Sequence, residues 1–243
     1  MHRFFVAAEA ITGDAAALTG EQAHQIVNVL RLKCGDRVVL LDDTGYEYET
    51  EITALDRTIV EGKVIGKKRG EGEPATTVML YQALIKADRF EMVLQKAVEL
   101  GVSRIWPFVS ERCVAGMPSQ VRLGRWQTII REAAEQSRRS VLPVLYEPMP
   151  FELLCKESPV PGIILWEEEK SLGISPVLRS PPFQQSKLVR VFVGPEGGFT
   201  SAEVEMARQR GVVPVSLGRR ILRTETAGLV AVSAIMYEKG ELG

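Results

Sequence analysis

The sequence predicts an α/β protein in which a parallel, helix-covered sheet follows a small all-β domain. Three observations predict it. Between Val78 and Phe108 an apolar strand-like run, an amphipathic helical stretch and a second apolar run make one β-α-β unit. Further along, two apolar runs each end in a glycine-containing loop followed by a helical pattern. Ahead of residue 73, short strand-like runs separated by turn signals have the spacing of a small barrel.

In the N-terminal part, Arg3 to Ala7 reads as a short strand and Ala23 to Leu32 as a helical or mixed stretch. Cys34-Gly35-Asp36 is a turn ahead of a strand from Arg37 to Leu41. Asp42-Asp43-Thr44-Gly45 reads as a hairpin turn, with Tyr46 to Ile52 as its second arm and Thr58 to Ile65 as a further strand. The run from Gly66 to Pro74 reads as a solvated linker, because glycines and a proline punctuate a charged stretch. These signals divide the chain into domains 1–72 and 73–243.

The second domain opens with a strand from Val78 to Leu84. Asp88 is expected to cap the helix after it, with Glu91 at the capping-box position. Phe90, Val93, Leu94, Ala97 and Val98 form the buried stripe, Gly101 ends the helix, and Val102 to Phe108 is the next strand. A helix from Arg122 to Ser137 turns Trp126, Ile129, Ile130, Ala133 and Ala134 to the core. Gly162 to Trp166 reads as a buried strand ending in the acidic run Glu167-Glu168-Glu169.

Val189, Val191 and Val193 mark another buried strand, broken at Gly194-Pro195. A helix restarts at Thr200 with full start chemistry: Thr200 caps, Glu203 reaches back, and Phe199 with Val204 closes a hydrophobic staple. A last apolar run ends at Leu217-Gly218. Beyond it a loop carries Arg219, Arg220 and Arg223, then Ala227, Val230, Ala231, Ala234 and Ile235 fall at helical spacing. Read from residues alone, the two glycine loops are either tight strand-to-helix connections or the walls of a crevice at strand ends.

Composition narrows the classes. Hydrophobic content of 45% and charged content of 25% describe an ordinary globular protein. No apolar run approaches the roughly 20 residues of a membrane span, and no signal-like region opens the chain. Cys34, Cys113 and Cys155 are too scattered for a disulfide framework or a zinc site, which fits a reducing cytoplasm. A formal net charge of −1 gives no global support for a nucleic-acid partner, so any such surface must come from local clusters. Neither a Gly-x-Gly-x-x-Gly turn after the first strand nor a P-loop is present, which argues against a nucleotide or dinucleotide enzyme.

Gly194-Pro195-Glu196-Gly197-Gly198-Phe199-Thr200, followed by Leu217-Gly218, Ile221-Leu222-Arg223 and Thr224-Glu225-Thr226-Ala227, resembles the RsmE family. These are the 16S ribosomal RNA uridine N3-methyltransferases of the SPOUT class. The resemblance extends to Met1-His2-Arg3-Phe4-Phe5, His24 through Asp36, Lys86 through Gly101, Ser110-Glu111-Arg112 and Glu135 through Arg139. Two positions depart from the family's pattern: Arg89 stands where lysine is common, and Arg219 where proline is common.

The resemblance implies a PUA-like β-barrel over 1–72 and a SPOUT methyltransferase domain with a C-terminal trefoil knot over 73–243. It implies S-adenosylmethionine as cofactor, 16S rRNA of the small subunit as substrate, a homodimer, and neither metal nor membrane. Leu165, Gly194, Gly197, Gly198, Leu217, Gly218, Leu222, Thr226 and Ala227 would hold the cofactor, largely through main-chain groups. Arg223 would stabilise the uracil anion, while Glu225 and Glu196 would accept a proton or hold an arginine. His24, Arg31, Lys33, Lys86, Arg89, Gln136, Arg138 and Arg139 would contact RNA. Their residue types alone favour solvated faces and a charged helix end. Two other functions fit the same chain: a non-catalytic RNA-binding assembly factor, and a methyltransferase acting elsewhere on RNA, such as a ribose 2′-hydroxyl.

Overall fold

The computed structural model describes residues 1–155 and 160–242. The chain forms two compact units, Met1–Glu73 with Arg131–Leu142, and Pro74–Ile130 with Pro143 onward. The first unit thus takes in a segment from the middle of the sequence, which no local signal marks.

In the first unit the strands are β1 (His2–Phe5), β2 (Ile11–Thr12) and β3 (Ala15–Thr19), then β4 (Arg37–Leu41), β5 (Tyr46–Leu55) and β6 (Ile59–Arg69). The short helix α1 (Gly20–His24) follows β3. They form one sheet in the order β1-β4-β5-β6-β3-β2, with β1 parallel to β4 and the other pairs antiparallel. Phe4, Leu18, Ile26, Val38, Leu40, Ile52 and Val60 meet in a single core. The sequence hides β3 because Ala15-Ala16-Ala17 has weak strand propensity; its alternation is carried by buried Ala16 and Leu18.

Gly66 to Arg69 is not linker but the end of β6, paired with Glu49 through Tyr46 of β5. β3 reaches only as far as Lys63, so these residues form an open edge where lysines are expected. Lys67 lies over the rings of Tyr46 and Tyr48, at 4.4 and 4.9 Å from their centroids.

The second unit holds β7 (Thr77–Ala83), α2 (Ala87–Glu99), β8 (Arg104–Val109), α3 (Gln120–Gln136), β9 (Val144–Leu145), β10 (Met149–Pro150) and α4 (Phe151–Leu154). It continues with β11 (Gly162–Leu165), α5 (Ile174–Leu178), α6 (Pro181–Gln185), β12 (Leu188–Val193), α7 (Ser201–Arg208), β13 (Val212–Val215) and α8 (Thr224–Glu238). The last turns of α3 belong to the first unit. The sheet runs β10-β8-β7-β12-β11-β13, with β9 beside β8, and every pair is parallel. Tyr81 at its centre is stacked between Trp106 and Phe192, at 5.0 and 4.3 Å.

Helix α2 buries the five residues its periodicity predicts. Its start differs from expectation: Lys86 is the N-cap, and its carbonyl accepts the N–H groups of Arg89 and Phe90. Asp88 therefore lies inside the first turn, where the helix dipole still favours an acid. At α7 the capping box forms as expected between Thr200 and Glu203.

After β13 the chain takes a path that positions the site. Val215 accepts from Trp166, and Ser216 pairs with Leu172 and Ile174, so this stretch runs between the end of β11 and residues 172–174. It then crosses back, and α8 packs on α2 and over β12 and β7. The far end of α8 is fastened twice. The Lys239 ammonium donates to the carbonyls of Phe183, Gln184 and Ser186, and the Glu241 carboxylate accepts from the main chain of Ala75 and Thr76.

Candidate active site

The C-terminal ends of β11, β12 and β13 and the start of α8 surround a cleft of about 880 Å³. This is the end at which open α/β sheets bind ligands. Leu165, Val193, Val215, Leu217, Ile221 and Leu222 give it apolar walls, while Glu167, Glu196, Glu225, Arg89 and Arg223 add charge.

The first loop, after β12, turns through a hydrogen bond from Gly198 N–H to the Pro195 carbonyl at 3.0 Å. Gly198 has φ +69°, a conformation that favours glycine, while the nearest group to a Cβ there would be the mobile end of the exposed Glu167 side chain. Phe199 anchors the loop in the core against Phe108 and Phe151. Glu203 Oε2 accepts from Thr200 N–H at 2.8 Å, and Oε1 accepts from Glu111 N–H at 2.9 Å. One carboxylate thus closes the helix start and ties the chain after β8 to it. Arg112 donates to the Gly197 carbonyl at 2.9 Å.

The second loop, after β13, is shaped by Ser216, whose hydroxyl accepts from Gly218 N–H at 3.2 Å. Arg219, Arg220, Ile221 and Arg223 are exposed, and Arg223 is the N-cap of α8. Thr224 is buried, and its hydroxyl donates to the Gly194 carbonyl, joining the two loops.

Within the cleft Arg89 stands between two carboxylates. Its Nε lies 3.7 Å from Glu225 Oε1 and its Nη1 3.9 Å from Glu196 Oε1. Glu196 is exposed at the rim, whereas Glu225 is only 6% exposed, and its Oε2 has no hydrogen-bond partner among the described residues. A buried carboxylate oxygen without a partner is costly unless a ligand supplies the donor.

Of the expected cofactor residues, Leu165, Gly194, Gly198, Leu217, Gly218, Leu222 and Ala227 line the cleft. Gly197 and Thr226 are not among its lining residues: the Gly197 carbonyl is taken by Arg112, and Thr226 is exposed on α8. All three expected catalytic residues, Arg223, Glu225 and Glu196, line it. Trp166, Val193, Val215 and Ile221 complete the wall without having been singled out; their only signal is their place at or just beyond strand ends.

The expected RNA contacts fall in both units. Lys86 is exposed in the second unit and Arg89 is in the cleft. In the first unit His24, Arg31, Lys33, Gln136 and Arg138 are exposed. Beyond α1 the helix widens, with Leu30 N–H reaching Gln25 O at 2.9 Å, and Arg31 follows at φ +54°. Arg138 ends α3 at φ +63°, with Arg139 N–H bonded to the Ala134 carbonyl in a Schellman-type turn. Two of the candidate arginines thus occupy a conformation that usually belongs to glycine.

Arg139 corrects the expectation. It is 3% exposed, and its Nη2 meets Glu73 Oε2 at 2.8 Å. The same carboxylate accepts from Ser140 and Val141 N–H. Arg139 organises the first unit's interior and is not available to RNA. Among the described residues no cluster of His, Cys, Asp or Glu could hold a metal ion.

Comparison with known proteins agrees with this geometry. Residues 72–236 match a family model described as an RNA methyltransferase domain, and residues 18–65 match an RNA methyltransferase PUA domain. The chain is 36% identical over 231 residues to the ribosomal RNA small subunit methyltransferase E of Bacillus subtilis, covering 91% of this chain and 90% of that one. It is 35% identical to the Synechocystis protein of the same name, over 96% of this chain and 77% of the relative. In structure it is similar to the Neisseria gonorrhoeae protein of that name bound to S-adenosyl methionine. That likeness has a TM-score of 0.88 at 30% identity, over 98% of this chain and 97% of the other.

Proposed function

Because the chain belongs to the ribosomal RNA small subunit methyltransferase E family, we propose that it methylates N3 of a uridine in 16S rRNA using S-adenosylmethionine. The observation that carries this reading is the cleft itself, where both glycine loops and three strand ends converge with the start of α8. Its residues fit the donor. Apolar walls suit an adenine ring, and carboxylates suit a sulfonium cation. When bound, S-adenosylmethionine supplies an already activated methyl group, so the protein contributes position and electrostatics.

Uracil N3–H must lose its proton as the methyl group arrives. Arg223, exposed at the mouth of α8, hydrogen-bonds a uracil carbonyl and stabilises the negative charge that develops there. Arg89 holds Glu225 by one oxygen and leaves the other as the proton acceptor. Glu196, at the rim, is the second carboxylate beside Arg89 and leaves the group net negative, which suits a cationic methyl donor. In the first unit, Arg31, Lys33 and Arg138 offer exposed charge to phosphate.

A second copy of the chain covers the apolar side chains that the second unit leaves exposed. These include Val114 (92% exposed), Met117 and Val121 ahead of and in α3, with Val230 and Tyr237 on α8. We assign the reaction to the cytoplasm, the compartment that three free thiols suit.

Calorimetry with S-adenosylmethionine, followed by labelled methyl transfer into 30S subunits and naked 16S RNA, tests the reading. Label at uridine N3 is expected. Absence of donor binding would favour an assembly factor instead, and label on ribose would reassign the target. Sedimentation of the purified protein at the mass of one chain would overturn the dimer.

A further inference from the structure

We propose that Gln82, at the C-terminal end of β7, is a positioning residue for the donor site. It fixes the start of α8 against the end of β12 through a one-way chain of hydrogen bonds. The inference rests on the reading of the cleft as a methyl-donor site.

Gln82 is 0% exposed on a strand whose other residues are chiefly apolar. A buried amide is destabilising unless bonded, so its bonds deserve an account. Its Nε2 donates to the Thr224 hydroxyl at 3.1 Å and to the Ala83 carbonyl at 3.3 Å. The Thr224 hydroxyl has one proton and gives it to the Gly194 carbonyl. It must therefore accept from residue 82. The order amide to hydroxyl to carbonyl is fixed in one direction, and only a donor of this length at position 82 can start it.

What this chain holds is the geometry of the cleft. Gly194 begins the first loop, and Thr224 lies between the two charged candidates, Arg223 and Glu225. Helix α8 settles close onto the strands at this point. A Cβ on Gly228 would come within 3.2 Å of both Gln82 Oε1 and Val193 Cγ2. Gln82 does not line the cleft; it acts through Thr224. The competing account is a core amide held by packing, its Oε1 without a hydrogen-bond partner among the described residues, and it makes no demand on the direction of donation.

Gln82→Glu separates the two. The change is nearly isosteric, but the ionised carboxylate cannot donate to Thr224, whereas the protonated acid can. Calorimetry with S-adenosylmethionine would compare variant and wild type at each pH, with thermal melting to verify the fold. The variant is expected to bind about tenfold more weakly or worse at about pH 9. That ratio should shrink toward about pH 6 as the buried carboxyl takes up its proton. Gln82→Met, which lacks any donor, should stay weak throughout. A pH-independent ratio, or both variants binding within about twofold of wild type, would overturn the proposal. If Gln82→Glu does not fold at the higher pH, Thr224→Val against Thr224→Ser carries the test. Serine keeps the hydroxyl and should recover affinity that valine loses; equal affinities would overturn the proposal. Wild-type protein that binds no donor would instead overturn the methyl-donor reading itself.

Discussion

Arg139 and Arg223 have the same side chain and opposite fates. Arg223 is exposed beside the cleft, while Arg139 is enclosed with Glu73. Removing one partner of a buried pair leaves the other charge uncompensated. Glu73, however, is partly exposed and keeps the Ser140 and Val141 N–H bonds, so Arg139→Ala should lower unfolding free energy by about 1–3 kcal/mol in urea titrations. Arg223→Ala should leave stability nearly unchanged and reduce kcat by about 10²–10³, as removal of one donor to a developing anion does. Steady-state kinetics and donor calorimetry check it: equal losses in turnover and donor affinity would take Arg223 out of the catalytic set. At this scale the glycine loops were legible, because a backbone that must stay bare leaves its mark in residue type, as at Gly198. Burial was not legible. Nothing near Arg139 in sequence announces Glu73, 66 residues away.

Among the elements, α7 and α2 show when local start chemistry can be trusted. Thr200 and Glu203 satisfy each other's backbone donors, and Glu203 has a second partner in Glu111. The box at Asp88 does not form because Lys86 already opens the helix. Thr200→Ala should cost about 1 kcal/mol, read as a lower denaturation midpoint, whereas Asp88→Ala should cost only a few tenths. The strand β6 gives the opposite lesson. Its last four residues look like linker, yet they pair with β5 because an open edge tolerates glycine and lysine. Composition reports solvent exposure well, and exposure is common to linkers and edges.

For the molecule as a whole, acid should act through specific carboxyls, and two in the first unit act with opposite signs. Burial pushes Glu47 up, but the hydrogen bond and charge of Arg3, with help from Lys68, more than offset this and hold it below 4.5. A carboxyl depressed in the folded state contributes stability that is complete above its unfolded value and lost as pH falls through the folded one. Burial raises Glu135, against the Phe5 N–H bond and Arg131, so its effect lies above 4.5 and runs the other way, with stability falling as pH rises. Denaturant titrations across pH should therefore show Glu47→Gln flattening the acid limb and lowering stability by a constant amount above pH 4.5. Strand order was the least legible feature at this scale. Apolar runs locate strands, but long crossovers decide that β7 lies between β8 and β12. The return of Arg131–Leu142 to the first unit has the same origin in long-range packing.

The bond from Gln82 to Thr224 spans 142 residues. A polypeptide emerging during translation therefore has one wall of the proposed donor cleft long before the other. Until α8 has been synthesised and drawn across the sheet, such a nascent chain has nowhere to seat a methyl donor. Unfinished copies made on the ribosome would then be inert toward the very RNA that surrounds them.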